Sequence, residues 1–244
     1  MPELEIISLT QLLLCWGIVI FAAVLQVSVG MGFGMLASPL IALVAPELVP
    51  GSILVMGLVV AAAGTWKERR NIQLIEVKLG FGGRLIGSAI AMGLLFLIPD
   101  RDAFFVVFGV LILVAVLLTA SGLKLDFNNW NLGLLSVVSG VMGTITAVGA
   151  PPMAIIYHGR DPKVVRPTLN AFFGAGAVLG IISLGLTGWL SIHDFIAAFL
   201  LLPAMALGIA IGEPFKKLSA SFLSHILLGL SGASAVLLIV KGFI

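Results

Sequence analysis

The sequence predicts an all-α polytopic membrane protein made of two inverted repeats, and three observations carry that expectation. The chain of 244 residues is 60% hydrophobic and only 10% charged, where a soluble domain has roughly 25% charged residues. With a mean hydropathy of +1.23, no soluble fold could hide so much apolar surface. The apolar residues also fall in long unbroken runs, whereas a membrane β-barrel shows short alternating segments. Finally, two of the runs are interrupted by glycine and proline at matching places in the two halves.

The apolar runs read as 8–29, 31–45, 50–66, 75–98, 103–121, 132–148, 149–157, 165–187, 193–212 and 219–243. A full span needs about 20 residues, so 31–45 and 149–157 are too short and read as half-helices or re-entrant arms. Each half is thus an interrupted hairpin followed by three transmembrane helices. Residues 1–122 form the first membrane repeat, 123–131 a cytoplasmic linker and 132–244 the second, inverted repeat. Glu3 and Glu5, with no Lys or Arg before the first run, are the wrong flank for a signal peptide, so the first run is expected to be retained. The single cysteine, Cys15, lies in that run, excludes an intrachain disulfide and reads as core packing.

The first interruption is Gly30-Met31-Gly32-Phe33-Gly34, followed by Ser38-Pro39. Glycine permits close approach and helix breaks, and Pro39 removes a backbone donor while discouraging the α conformation at Ser38. The second is Gly140, Gly143 and Gly149 followed by Pro151-Pro152, which sets Gly143 against Gly30 and Pro152 against Pro39 at a spacing of 113 residues. Lipid cannot satisfy the groups a broken helix frees, so such breaks belong inside protein or against a cavity. Paired interruptions in two halves point to a transporter's binding site.

Charge sets the orientation. Lys67, Arg69, Arg70, Lys78, Lys124, Arg160, Lys163, Arg166, Lys216 and Lys217 all fall on one side of the predicted topology, ten of the thirteen basic residues. By the positive-inside rule that side is cytoplasmic and the N-terminus outside. Arg101 and Lys241 fall opposite, and Arg84 falls within the membrane. The parity is informative: the first hairpin returns outside at Pro46-Glu47, the second inside at 158–166, and every later pair of matched loops is also opposite. Leu85–Ala91 echoes Ala206–Gly212 in the same sense.

An anion at mid-membrane needs positive potential. Helix N-termini near Met31–Leu36 and Gly149–Met153 offer backbone donors, and Ser28, Ser38, Thr144 and Thr146 offer hydroxyls, although small residues also simply let helices pack closely. Arg84 lies deep enough in its run to be a functional cation; a late helix start would instead let it snorkel to the interface. Asn170 is either a substrate donor or a helix contact. The candidate substrate residues are therefore Gly30, Gly32, Gly34, Ser38, Pro39, Arg84, Gly143, Thr144, Thr146, Gly149, Pro152 and Asn170. His158, beside Tyr157, and Glu213 are candidates for proton coupling, with interfacial anchoring and helix capping as their plainer roles. Trp16, Trp66, Trp130 and Trp189 read as belt residues. No phosphate-binding loop, metal-ligand spacing or nucleophile–base pattern occurs, so no cofactor, metal or enzymatic activity is expected.

The paired glycine-rich segments closing on Pro39 and Pro152, in a chain of this length and hydropathy, resemble the TauE/SafE sulfite-exporter family across nearly the whole chain. The second half departs from the triple-glycine pattern, with Thr144, Ile145 and Thr146 following Gly143 and Pro151 adding a second proline. The resemblance implies a secondary transporter, an exporter of small sulfur-containing anions such as sulfite or organosulfonates, working without ATP in a bacterial-type inner membrane. An anion channel of the same architecture or a non-catalytic accessory subunit are the alternatives. The expected partners are a small anion, the lipid bilayer and a coupling proton or cation, with a homodimer left open and no nucleic acid.

Overall fold

Long apolar runs become helices because each backbone group then finds its partner within its own segment. In a computed structural model describing residues 7–29, 33–212 and 220–243, ten α-helices form, with no strand among the described residues. They are α1 (Leu9–Val29), α2 (Phe33–Val44), α3 (Gly51–Lys67), α4 (Leu74–Leu97), α5 (Arg101–Ala120), α6 (Asn129–Thr146), α7 (Ala150–Ile156), α8 (Pro162–Thr187), α9 (Ile192–Gly212) and α10 (Ala220–Lys241). Five of them, in α1, α4, α5, α8 and α9, are long and apolar enough to cross a membrane, while α2 and α3 are shorter apolar helices. Polar side chains mark where helices start: Asp100, Asn128 and Asp161 accept the N–H of Ala103, Asn131 and Lys163 at the starts of α5, α6 and α8.

One expectation needs correction. Ser38-Pro39 does not interrupt a helix, because α2 runs through both residues. Pro39 cannot donate to the carbonyl four residues back, Met35, but the Ser231 hydroxyl of α10 donates to that oxygen at 2.8 Å. The proline is tolerated because a neighbouring helix replaces the bond it removes. The chain between α1 and α2 is 30–32, so Gly30 and Gly32 lie outside the described residues, as does Glu213.

Contacts sort the helix ends into two groups. Gln11 Nε2 donates to the Val44 carbonyl at 2.9 Å, so α2 ends beside the start of α1. Arg101 reaches the Pro46 carbonyl, and Asp194 lies against Gly51, at this same end. At the other end, which holds the basic loops, Gln73 N donates to Thr168, Leu125 N donates to the Ile155 carbonyl, and Arg160 pairs with Glu76. There α7 ends beside the start of α6.

The main packed pairs are α4 on α6 and α1 on α9, α4 on α8 and α9 on α3, α2 on α10 and α7 on α5, with α3–α8 and α5–α10 besides. Exchanging the first five helices with the last five turns this set into itself; α6–α8 is the chief exception. The crossings agree in detail. A methyl on Gly83 would meet the Gly133 carbonyl and Ser136, and one on Gly208 would meet the Ile20 carbonyl and Ala23, positions 113 residues apart. In these contacts Gly208 resembles Gly83, which lies one helical turn from Gly87, the residue the sequence echo sets beside Gly208.

Most of the core is one apolar cluster through α1, α2, α3, α5 and α9. A second, smaller cluster of Leu132, Met153, Ile156, Tyr157, Leu169 and Phe172 sits toward the basic end.

Candidate anion site at the second helix break

The site begins with one face of α6. Ser136, Ser139, Gly140 and Gly143 recur at helical spacing, which gives a stripe of small and hydroxylic residues. That stripe faces α4, where Gly83 and Gly87 let the two backbones approach closely. Arg84 projects from this crossing. It stands ten residues into α4, about 15 Å along a helix of roughly 35 Å, and is only 3% exposed. It does not snorkel.

Its guanidinium is held on one nitrogen. Nη1 donates to the Ser139 carbonyl and the Ser139 hydroxyl, both at 2.8 Å. The Ser139 hydroxyl donates onward to the Gly149 carbonyl at 2.7 Å, fixing the segment between α6 and α7. The Phe172 ring centre lies 5.5 Å from the guanidinium carbon. Three glycines from three elements complete the wall: a methyl on Gly143, Gly149 or Gly176 would strike the guanidinium. Nε is buried without a hydrogen-bond partner, and so is the Ser136 hydroxyl. Among the described residues no carboxylate pairs with Arg84. A cation is thus buried at mid-helix with spare donor capacity and no counter-charge among the described residues.

The break beside it is built by short-range polar contacts. Ala147 caps α6 in the left-handed region at φ 59°, its N–H on the Gly143 carbonyl. Thr146 Oγ1 donates to the Met142 carbonyl and accepts from Val148 N. Two of the first three residues of α7 are Pro151 and Pro152, which bring no N–H. The start of α7 is therefore poor in donors, and the expectation that it would present several is corrected: the positive charge here is the arginine's. Ser38 and Gly34 of α2 reach this break from the other half. The Ser38 hydroxyl donates to the Thr146 carbonyl at 2.5 Å, and Gly34 abuts the Ala147 carbonyl.

Of the residues singled out from sequence, Arg84, Gly143 and Gly149 meet directly. Thr144 lies on the next turn, paired with Ser88 at 3.0 Å, while Ser38, Thr146, Pro39 and Pro152 are buried in the framework around the break. Asn170 is not brought to the guanidinium but packs on Gly64 of α3. His158 is exposed at the basic end. There, burial first and the Glu76 charge second hold the Tyr157 phenol above its ordinary pKa, so it remains a donor. Of the four tryptophans, Trp66 and Trp130 are exposed as belt residues would be, whereas Trp189 stacks on Phe104 at 4.6 Å and donates to the Leu95 carbonyl. The residues missed were Ser136, Ser139 and Gly176; the periodic small-polar stripe of α6 was the signal for the first two.

Fold and site together define a helical membrane protein with a buried cation beside a broken helix. The model of the sulfite exporter TauE/SafE family matches residues 15–238 of the 244, and the chain belongs to that family. No curated protein and no solved structure matches the chain.

Proposed function

We propose that this protein is a secondary transporter that exports small sulfur-containing anions, such as sulfite or organosulfonates, by alternating access, and that Arg84 binds the anion. The observation that carries this reading is the buried Arg84 guanidinium with an unpartnered Nε and no acidic neighbour among the described residues. A charged side chain at this depth costs at least ~2.5 kcal/mol, and an oxyanion would offset that cost by accepting from the unpartnered Nε of the guanidinium. The Ser136 hydroxyl, also unpartnered, supplies a further donor nearby. Family membership supplies the substrate class. Two inverted repeats are supported by the exchange of packed pairs and by hairpins that close at opposite ends. In this reading the basic end faces the cytoplasm of a bacterial-type cell and the N-terminus lies outside.

Sulfite binding to the purified protein tests the assignment. Arg84→Lys keeps the charge but loses the planar fork and should weaken binding about tenfold; Arg84→Ala should weaken it more than a hundredfold, about 3 kcal/mol. Near-normal affinity in Arg84→Ala would remove Arg84 from the site.

A further inference from the structure

Two layers of side chains lie between Arg84 and the basic end. The second apolar cluster comes first: Phe172 lies against the Arg84 guanidinium, and Leu132, Met153, Ile156 and Leu169 pack with it. A polar network comes next. Arg160 Nη2 donates to Glu76 Oε1 at 2.8 Å, and the Tyr157 hydroxyl donates to Glu76 Oε2 at 2.9 Å. The Arg160 guanidinium also lies 3.9 Å from the Phe127 ring centre, and Phe127 meets Tyr157 edge-on at 5.3 Å. This network ties the first turn of α4, the turn after α7 and the segment joining the two halves.

The two ties are in register. Glu76 and Arg84 are eight residues apart on α4, and Gly149 and Tyr157 are eight apart across α7, about 12 Å in each case. At the inner end the tie runs from Arg84 through Ser139 of α6 to Gly149, and at the outer end directly from Glu76 to Tyr157 and Arg160, with the apolar cluster between. We infer that this assembly is the gate on the basic side of the transport path: an apolar plug held shut by a latch of Glu76, Tyr157 and Arg160. The inference rests on the reading of Arg84 as the anion site. The plug excludes ions by staying dry, and the latch holds α7 against α4. Glu76 is mostly buried, its side chain 14% exposed, so its ion pair is screened less than a surface pair. Glu76, Tyr157 and Arg160 are positioning residues that act through α7 and do not touch the anion.

A cysteine in the plug reads the gate, and the native Cys15, fully buried in the main core, is the internal control. Met153→Cys protein, purified in detergent, is exposed to a polar uncharged maleimide, and mass spectrometry counts labels over time. With the latch intact, labelling at residue 153 should be slow. Adding Glu76→Gln should speed it by about tenfold or more, the effect of losing hydrogen bonds to a charged group. The exchange Glu76→Arg with Arg160→Glu restores the ion pair but neither the Tyr157 donation nor the Arg160–Phe127 contact, so it should return part of the protection, while Cys15 stays unlabelled throughout. A rate indifferent to Glu76→Gln would overturn the gate, and so would parallel labelling of Cys15, which would mean general loosening. Sulfite binding to the wild-type protein is measured alongside. Its absence would remove the Arg84 reading, whereas unchanged labelling with binding intact would remove the gate alone.

Discussion

The two helix breaks look alike in sequence and stand in different surroundings. The α2 arm is met by partners at its start, beside its proline and along its apolar face. Its first amide, Phe33 N, is capped by Gln26 at 2.9 Å, the acceptor freed by Pro39 is filled by Ser231, and its apolar residues sit in the main core. The α7 arm is shorter, carries its prolines in the first turn, and opens beside a buried cation with an unpartnered nitrogen. Under the proposed repeat, the similar contacts of Gly83 and Gly208 set Ile209 against Arg84. The glycines mark where backbone is interrupted, Pro39 does not, and the buried Arg84 stands beside the second interruption. On the proposed reading the first arm is a strut that reaches the second break through Ser38 and Gly34, and the second arm is part of the anion site.

The comparison breaks most completely if the two hairpins open on the same side. Glu47 and Asp161 are exposed, beyond the ends of α2 and α7. In a Cys15→Ser background, Glu47→Cys and Asp161→Cys should label from opposite faces of sealed vesicles with an impermeant reagent, an all-or-none result. Labelling from one face would end the inverted-repeat reading while leaving the contacts around Arg84 in place.

A methyl group sharpens the contrast next. At Gly176 or Gly143 it meets the guanidinium, the movable end of a long side chain. The fold should survive and Arg84 should be displaced, so sulfite affinity should fall about tenfold, 1.4 kcal/mol, with little change in melting temperature. At Gly34 it meets the Ala147 backbone carbonyl, which cannot swing aside. Gly34→Ala should therefore destabilise the protein by about 1–3 kcal/mol, the usual cost of overpacking. Binding assays and thermal melts on the three variants separate the outcomes; equal loss of affinity without destabilisation in Gly34→Ala would make both arms part of the binding surface.

Much of this was legible because the bilayer leaves few choices. Apolar runs of span length became helices within a few residues of their expected bounds, and the short runs 31–45 and 149–157 became α2 and α7. Arg84 was legible as a lone charge in an apolar run. Its surroundings were not, because Gly176 reaches it from α8 by a tertiary contact that no local pattern encodes. Asn170 looked equivalent to Thr144 as a polar residue in an apolar helix, yet its side chain lies on Gly64 of α3. The helix through Ser38-Pro39 was misread for a related reason. The proline's local effect was visible, but the hydroxyl that compensates for it is Ser231, 196 residues beyond the Met35 carbonyl it fills.

The smallest expected effect tests what each arm's serine is for. Ser231 and Ser139 both donate to backbone carbonyls at or near a break, at 2.8 and 2.7 Å. Ser231→Ala leaves the Met35 carbonyl buried beside Pro39 with no donor to replace the missing backbone bond. Hydrogen bonds between membrane helices are weak on average, so the loss should be about 1 kcal/mol, seen as a modestly lower melting temperature. Sulfite affinity should not change, because nothing in α2 that Ser231 supports carries charge. Ser139→Ala removes the bridge between Arg84 Nη1 and the Gly149 carbonyl but keeps the Ser139 backbone acceptor. Arg84 should stay in place with more freedom, and affinity should fall about threefold, roughly 0.6 kcal/mol. If Ser231→Ala weakened sulfite binding as much as Ser139→Ala, the α2 arm would be transmitting strain to the anion site through Ser38, and the division between strut and site would fail.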